Sequence, residues 1–333
     1  MTSRVAVVGA GMAGVTCAQV LADAGHDVVI LERNAVVGGR MCTWHGEGWQ
    51  CDHGAQFFTV RDADFARTVQ GWCEAGMAAQ WRGRFVSFDA AGVAQRIDDA
   101  GRYVCTPYMD TVLSTAAASQ CVETGQTVCA LVKADGKWEL TTREIGRFRD
   151  LFDAVVLAVP PADAFGLLHR ASPALSVVAN RARMRPCWAL MLRYQTPPAL
   201  GFDAAFVHGG PLRWMANDSA KPGRCGAAVW VLHASPEWSA RHLVLHPEAI
   251  AEALMPAFAA FGAGLPDAAA ACLWRDAEAV IESSPASRGY VWRASERVGL
   301  CGDWCSSGRV EGAWLSGRAL GTAMLAALAH DRH

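Results

Sequence analysis

Lysine is nearly absent from this chain: its 333 residues include only Lys133, Lys137 and Lys221. Arginine carries almost all the other positive charge, and with a formal net charge of −2 no nucleic-acid partner is expected. No uninterrupted apolar stretch approaches the ~20 residues of a spanning helix, so no membrane segment is expected. The first strand signal begins near Arg4, and cleaving a leader there would remove the glycine-rich turn that follows, so no signal peptide is expected. The 12 cysteines, from Cys17 to Cys305, include no C-x-x-C pair and no Cys/His group at zinc spacing. Those absences argue against a metal centre and a disulfide frame, and for free thiols in a reducing cytoplasm. No repeat or low-complexity tract stands out. The length suggests about two domains, and a composition 52% hydrophobic and 19% charged fits a globular enzyme.

The first forty residues carry the strongest pattern. Val5 to Val8 is an apolar run of buried-strand type, followed by Gly9-Ala10-Gly11-Met12-Ala13-Gly14 and a helical segment with Ala18 and Leu21 on one face. Gly25 stops that helix, Val28 to Leu31 reads as a second strand ending at Glu32, and Gly38-Gly39-Arg40 comes soon after. Gly9 permits a tight turn, Gly11 lets the backbone approach a pyrophosphate, and Gly14 allows close packing of helix on strand. The helix N-terminus offers unpaired N–H groups and partial positive charge to phosphates. Glu32 stands where a carboxylate can accept from ribose hydroxyls.

Further on, the spacing predicts a helix over 62–75 capped by Asp62, a hairpin over 81–97, a helix over 109–119 and a buried strand over 152–158 closed by Val159-Pro160-Pro161. Strands at 188–194, 204–208, 212–216 and 227–234 and a helix over 247–261 suggest an antiparallel sheet backed by helices, inserted into a parallel-sheet domain. A strand near residue 300 is expected to complete the sheet begun at residue 5, ahead of a final helix from about Glu311.

The glycines, Glu32 and Gly38-Gly39-Arg40 match the N-terminal pattern of flavin-dependent amine oxidases and their relatives. Asp52 to Arg61 and Cys301 to Gly317 narrow this to a resemblance with renalase and bacterial renalase-like proteins. The resemblance spans nearly the whole chain and is densest at its two ends. It implies an α/β fold: a Rossmann-like FAD-binding domain of glutathione-reductase and amine-oxidase type, with an inserted α+β substrate domain on a mostly antiparallel sheet. The FAD-binding domain would be residues 1–60, 105–162 and 292–333, and the substrate domain 61–104 and 163–291.

Carried over position by position, the resemblance implies noncovalent FAD held by Gly9, Gly11, Met12, Ala13, Gly14, Glu32, Arg33, Gly39, Arg40, Gln56, Phe57, Val128, Gly302, Asp303 and Val310. Substrate contacts would come from Phe57, Phe58, Thr59, Val60, Arg61, Trp188 and Arg309. The last helix would aim its positive end at the flavin. The implied activity is oxidation of 2- and 6-dihydro-NAD(P) isomers to NAD(P)+, with O2 reduced to H2O2. A dihydropyridine needs stacking against the flavin and no strong base, so aromatic walls are expected, with Trp188, Trp214, Trp230 and Trp292 as candidates.

Alternatives stay open: an FAD oxidase of another small amine or hydride donor, or a non-catalytic binding protein of the same fold. Lysine-dependent amine oxidation has only Lys221 to draw on, and its Lys-Pro-Gly setting reads as a turn. Cys272-Leu273-Trp274-Arg275-Asp276 and Cys105-Thr106-Pro107-Tyr108-Met109 depart from the renalase-like pattern, which leaves the substrate open. Covalent flavin attachment through Cys301 or Cys305 is not expected. Oligomeric state is not readable from the sequence.

Overall fold

Val5, Ala6, Val7 and Val8 are all buried in the strand Arg4–Val8, as a strand covered on both faces must be. In the computed structural model, which describes residues 2–97, 101–284 and 286–330, this strand lies near the middle of a six-stranded sheet. The sheet order is Cys121–Glu123, Asp27–Leu31, Arg4–Val8, Ala154–Leu157, Val298–Leu300 and Val291–Arg293. Every pairing is parallel except the last. The strand expected near residue 300 therefore joins the first sheet, paired with Ala154–Leu157.

The chain divides into two compact units. One is Met1–Arg40, Val112–Met184 and Ala279–His333; the other is Met41–Thr111 and Arg185–Glu278. Residues 41–60 and 105–111, grouped with the cofactor domain on sequence, pack in the second unit, while 163–184 and 279–291 pack in the first.

In the first unit an antiparallel three-stranded sheet, Val128–Ala134, Lys137–Thr142 and Gly146–Phe152, contributes Leu131, Trp138, Leu140, Phe148 and Phe152 to the core beside Val155 and Leu157. The helices Pro161–Ala171 and Pro173–Arg181 close that core with Leu168, Leu175 and Ala179. Both begin with a proline, and although Pro160-Pro161 reads as a strand terminator, proline in a first helical turn removes an N–H the helix does not use. The last helix, Val310–His330, lies along Met12–Asp23. A Cβ on Gly317 would meet the Ala13 carbonyl oxygen at 2.1 Å, and one on Gly321 would meet Val20 at 2.9 Å. Both contacts advance along the two helices in the same direction, so the two N-termini lie at one end of the unit.

The second unit is built on a seven-stranded sheet, ordered Ala268–Ala279, Met184–Tyr194, Ala228–Ala234, Leu212–Asn217, Ala204–Val207, Phe85–Phe88 and Ala94–Arg96. Its central pairings are antiparallel, and Ala204–Val207 runs parallel to Phe85–Phe88. Alternation sorts the side chains. Leu190, Leu192, Trp230, Leu232 and Met215 face the helix Pro247–Ala259 through Ile250, Leu254 and Phe258. The residues that alternate with these along the strands, among them Phe85, Phe206, Trp214 and His233, share the opposite, front face. The expected helix at 62–75 is Ala63–Glu74, and the Asp62 carboxylate accepts from Asp64 N (2.8 Å) and Phe65 N (3.1 Å) as its cap. The helix expected over 109–119 is only Thr111–Ala117. No helix of the described residues is long and apolar enough to cross a membrane.

Candidate functional site

The three glycines of the first turn are glycines for different reasons. Gly9 has φ +103°, and a Cβ there would lie 2.6 Å from the Ala158 carbonyl oxygen. A Cβ on Gly14 would lie 1.9 Å from the Gly9 oxygen, so helix and strand touch through it. Gly11 is unlike both. Its φ of −82° suits any residue, and a Cβ would meet nothing within 4 Å. No packing inside the protein requires glycine at residue 11. The direction a side chain would take from it is open, at a helix N-terminus that no side chain caps.

Around this turn the first unit gathers most of the residues expected to hold the cofactor. The Glu32 carboxylate is buried. It accepts from Ala10 N (2.8 Å), Asn34 N (2.9 Å) and Asn34 Nδ2 (2.9 Å), which ties the end of the second strand to the glycine turn. Gln126 N donates to the Glu32 carbonyl (2.8 Å), which brings the segment leading into Val128 beside it. Gly39 stacks its Cα side on Gly11, where a Cβ would come within 3.3 Å. Arg40 donates through both outer nitrogens to Asp303, with Nη1 to Oδ2 at 2.9 Å. Gly302 donates its N–H to Ser316 Oγ on the last helix (2.9 Å). Arg33, by contrast, is exposed and paired with Asp163 (3.1 Å). Arg309 is exposed immediately before Val310, the first residue of the last helix.

In the second unit, the front face of the sheet receives the segment Asp52–Phe57. The Phe57 ring lies 5.3 Å from Trp214 and 6.3 Å from Phe206, and Trp214 and Phe206 are themselves 4.7 Å apart. Arg102, buried on the strand Arg102–Cys105, places its guanidinium 4.2 Å from the Phe85 ring centre, 5.5 Å from Phe57 and 5.9 Å from Phe206. The carbonyl of His53 accepts from Trp274 Nε1 and His233 Nε2, both at 3.1 Å, and the His53 ring packs on Trp274.

Two residues expected to touch substrate are placed elsewhere. Phe58 is buried among Phe65, Trp72 and Tyr103, because strand alternation turns it away from Phe57. Trp188 lies on the helix-backed face and gives its indole N–H to the His242 carbonyl (3.0 Å). Trp230 sits in that same core, so of the three candidate aromatic walls in this unit it is Trp214 that packs against Phe57. Thr59 and Val60 are half-buried and Arg61 is exposed.

Against Gln56, the residue before Phe57, lies a buried charge cluster. Lys221 is fully enclosed and contacts Asp52 Oδ2 (3.1 Å) and Asp218 Oδ1 (2.6 Å), and Arg224 Nη2 reaches Asp52 Oδ2 at 2.5 Å. Burial pushes the Asp52 carboxyl up, but the charges and hydrogen bonds of Lys221 and Arg224 outweigh it and hold the group down at about 2. Asp218 goes the other way, to about 6, because burial and the nearby Asp52 charge exceed what Lys221 returns. His53 and His233 are lowered to about 4 by burial. Lys221 begins the turn expected of it but is no surface residue. The signal in the sequence was an acid and two cations in Asp218-Ser219-Ala220-Lys221-Pro222-Gly223-Arg224, directly after an apolar strand. Arg102 carried no such signal. Among the described residues no group of three or more His, Cys, Asp or Glu could hold a metal ion.

A model of the NAD(P)-binding Rossmann-like domain matches residues 7–70, and one of the flavin containing amine oxidoreductases matches residues 64–325. The chain belongs to the flavin containing amine oxidoreductase family. Among curated proteins it is 50% identical over 56 residues to an L-amino-acid oxidase of Siganus canaliculatus, covering 16% of this chain and 11% of that protein. It is 52% identical over 44 residues to a 15-cis-phytoene desaturase of Synechococcus elongatus, covering 13% of this chain and 9% of that protein. The matches thus span about a tenth of those relatives' lengths. Among solved structures, a candidate protoporphyrinogen oxidase from Exiguobacterium sp. 255-15 superposes with TM-score 0.80 at 10% identity over 97% of this chain and 99% of that one. Cyclohexylamine oxidase from Brevibacterium oxydans IH-35A gives 0.75 at 14% identity over 98% and 100%. These structural likenesses establish the fold. The family brings a flavin, and the bare Gly11 turn suits its phosphates: of the three glycines, Gly11 alone leaves room beside it, where a phosphate would approach.

Proposed function

We propose that this amine oxidoreductase is a renalase-like oxidase that binds FAD noncovalently and oxidises 2- and 6-dihydro-NAD(P) isomers to NAD(P)+, with O2 as the final acceptor. FAD, when bound, supplies the hydride-accepting ring. The chain's own part begins at the phosphate turn, where Gly11 and the first N–H groups of the helix Met12–Asp23 take the pyrophosphate. Glu32 takes the adenosine ribose. Arg40 and Asp303 act there as one bidentate unit, in which Asp303 keeps the guanidinium plane fixed.

The observation that carries the substrate reading is the aromatic group of Phe57, Phe206 and Trp214, with Arg102 behind it. Flat rings orient a dihydropyridine, which already holds a transferable hydride and asks only for alignment. Lys221, the one lysine of the second unit, is buried and engaged by two carboxylates. Anaerobic mixing of the flavin-loaded protein with 6-dihydro-NAD, 2-dihydro-NAD and a panel of primary amines and L-amino acids tests this. Rapid bleaching of the flavin by the dihydronicotinamides is expected, and bleaching by amines alone would overturn it. The second reading, oxidation of a small amine or amino acid, is supported by the names of the oxidases this chain resembles, and the same panel detects it.

A further inference from the structure

We infer that Lys221 is a positioning residue: through Asp52 and Gln56 it fixes the segment that presents Phe57, and it takes no part in proton transfer. This rests on the reading that Phe57 meets the bound flavin or its substrate.

An ammonium has three N–H donors. Lys221 Nζ has three oxygen partners: Asp218 Oδ1 at 2.6 Å, Asp52 Oδ2 at 3.1 Å and Gln56 Oε1 at 3.4 Å. Hydrogen bonds go to Asp52 and Gln56 and the Asp218 contact is an ion pair, so Nζ is enclosed by these three oxygens, and the side chain has no exposed surface. Asp52 is saturated in the same way. Its Oδ1 accepts from Thr43 Oγ1 (2.9 Å) and Met109 N (3.1 Å), and its Oδ2 from Lys221 and Arg224. Arg224 also donates to the Cys105 carbonyl (2.8 Å). The cluster therefore pins three separate stretches, residues 43–56, 105–109 and 218–224, to one another.

The path to Phe57 is short. Gln56 turns its amide inward. Nε2 donates to the carbonyls of Asp52 and Gly54, while Oε1 accepts from Lys221. The side chain that follows is Phe57. A segment closed on itself in this way carries several polar groups out of water, and Lys221 supplies the Gln56 amide oxygen with a donor. The cluster contains two acids and two cations, so its charges cancel without help from outside.

The test is a double-mutant cycle on the full chain loaded with FAD. Its readouts are the affinity for FAD, the visible band shape and reduction potential of the bound flavin, and thermal unfolding. Lys221→Met alone leaves buried carboxylates short of a partner and can abolish folding. The charge-balanced pair Asp218→Asn with Lys221→Met avoids this, and Gln56→Met cuts only the last link. Each should reproduce the effect of Phe57→Leu, by roughly tenfold in affinity, the middle of the range for residues in one network. Adding Phe57→Leu to either should do little more. Lys221→Arg should restore most of the loss, and the pH profile of flavin reduction by 6-dihydro-NAD should keep its shape. Full additivity with Phe57→Leu, or loss of an ionisation from the pH profile in Lys221→Arg, would overturn the inference. If Phe57→Leu itself changes neither the spectrum nor the affinity, the reading of Phe57 fails instead.

Discussion

Arg40 and Asp303 form a two-pronged ion pair across 263 residues of sequence, with Asp303 almost fully buried. The pair joins the end of the Gly38-Gly39-Arg40 motif to the Gly302-Asp303 motif, so the two stretches that look most like a flavin protein are one structural unit. Asp303→Asn should keep the fold but weaken FAD binding about 10- to 100-fold, the scale of one lost charge-assisted hydrogen bond. Flavin fluorescence titration of the apoprotein measures it. Affinity within a factor of two of the parent would remove Asp303 from the site.

Gly11 and Gly14 should separate cofactor binding from folding. Gly11→Ala meets open space at an ordinary φ, so the apoprotein should unfold within about 0.5 kcal/mol of the parent while losing most of its FAD affinity. Gly14→Ala drives a methyl against the Gly9 oxygen and should cost about 3 kcal/mol or more. Denaturant melts of the two apoproteins, paired with FAD titrations, decide the matter. A destabilised Gly11→Ala protein would mean that the space at residue 11 is not free.

Stability should fall in mild acid. The unfolded chain protonates His53 and His233 near pH 6.5, whereas the folded chain resists until about 4. Between these values the unfolded state binds more protons, so stability rises with pH and is complete above about 6.5. Each histidine contributes roughly 3 kcal/mol over the full window. Asp218, raised to about 6, opposes them, since between about 4 and 6 the folded state holds the extra proton and stability falls as pH rises. Two histidines against one carboxyl leave a net loss on acidification. Thermal melts between about pH 5 and pH 7 should show it, and His233→Asn should flatten the slope. A melting temperature independent of pH across this window would contradict the placement of both rings.

Thiol chemistry should follow burial. Cys121, Cys129 and Cys225 are exposed and should react first with an aromatic disulfide reagent. Cys51, Cys301 and Cys305 are buried, and burial raises Cys51 and Cys305 well above the ordinary thiol value. Cys301 is raised chiefly by its hydrogen bond with Cys17, with burial adding to it. These thiols should stay silent until denaturation. Acid precipitation of the loaded protein should leave the flavin in the supernatant, and flavin retained in the pellet would reveal a covalent bond.

Much of the first unit was legible in the sequence because its determinants are local. A buried strand, a glycine turn and a helix are neighbours in the chain, and the steric needs of Gly9 and Gly14 are met within that motif and by the strand beside it. Periodicity also placed the helix Ala63–Glu74 and its Asp62 cap. It failed at Pro161–Ala171, where a proline that can end a strand also begins a helix.

The second unit was less legible for a physical reason. Whether an aromatic faces the core or the front of a sheet depends on register, and register is settled by partners far along the chain. Trp188, Trp214 and Trp230 are alike in sequence, yet only the pairing of the central strands puts Trp214 beside Phe57 and the other two behind. Lys221 likewise looked like part of a turn. Its meaning comes from Asp52, 169 residues away. The sequence alone determined the family and the phosphate turn, because those rest on short-range geometry. Only the tertiary structure decided which buried charges and rings stand together, because their partners are brought close by folding and not by spacing.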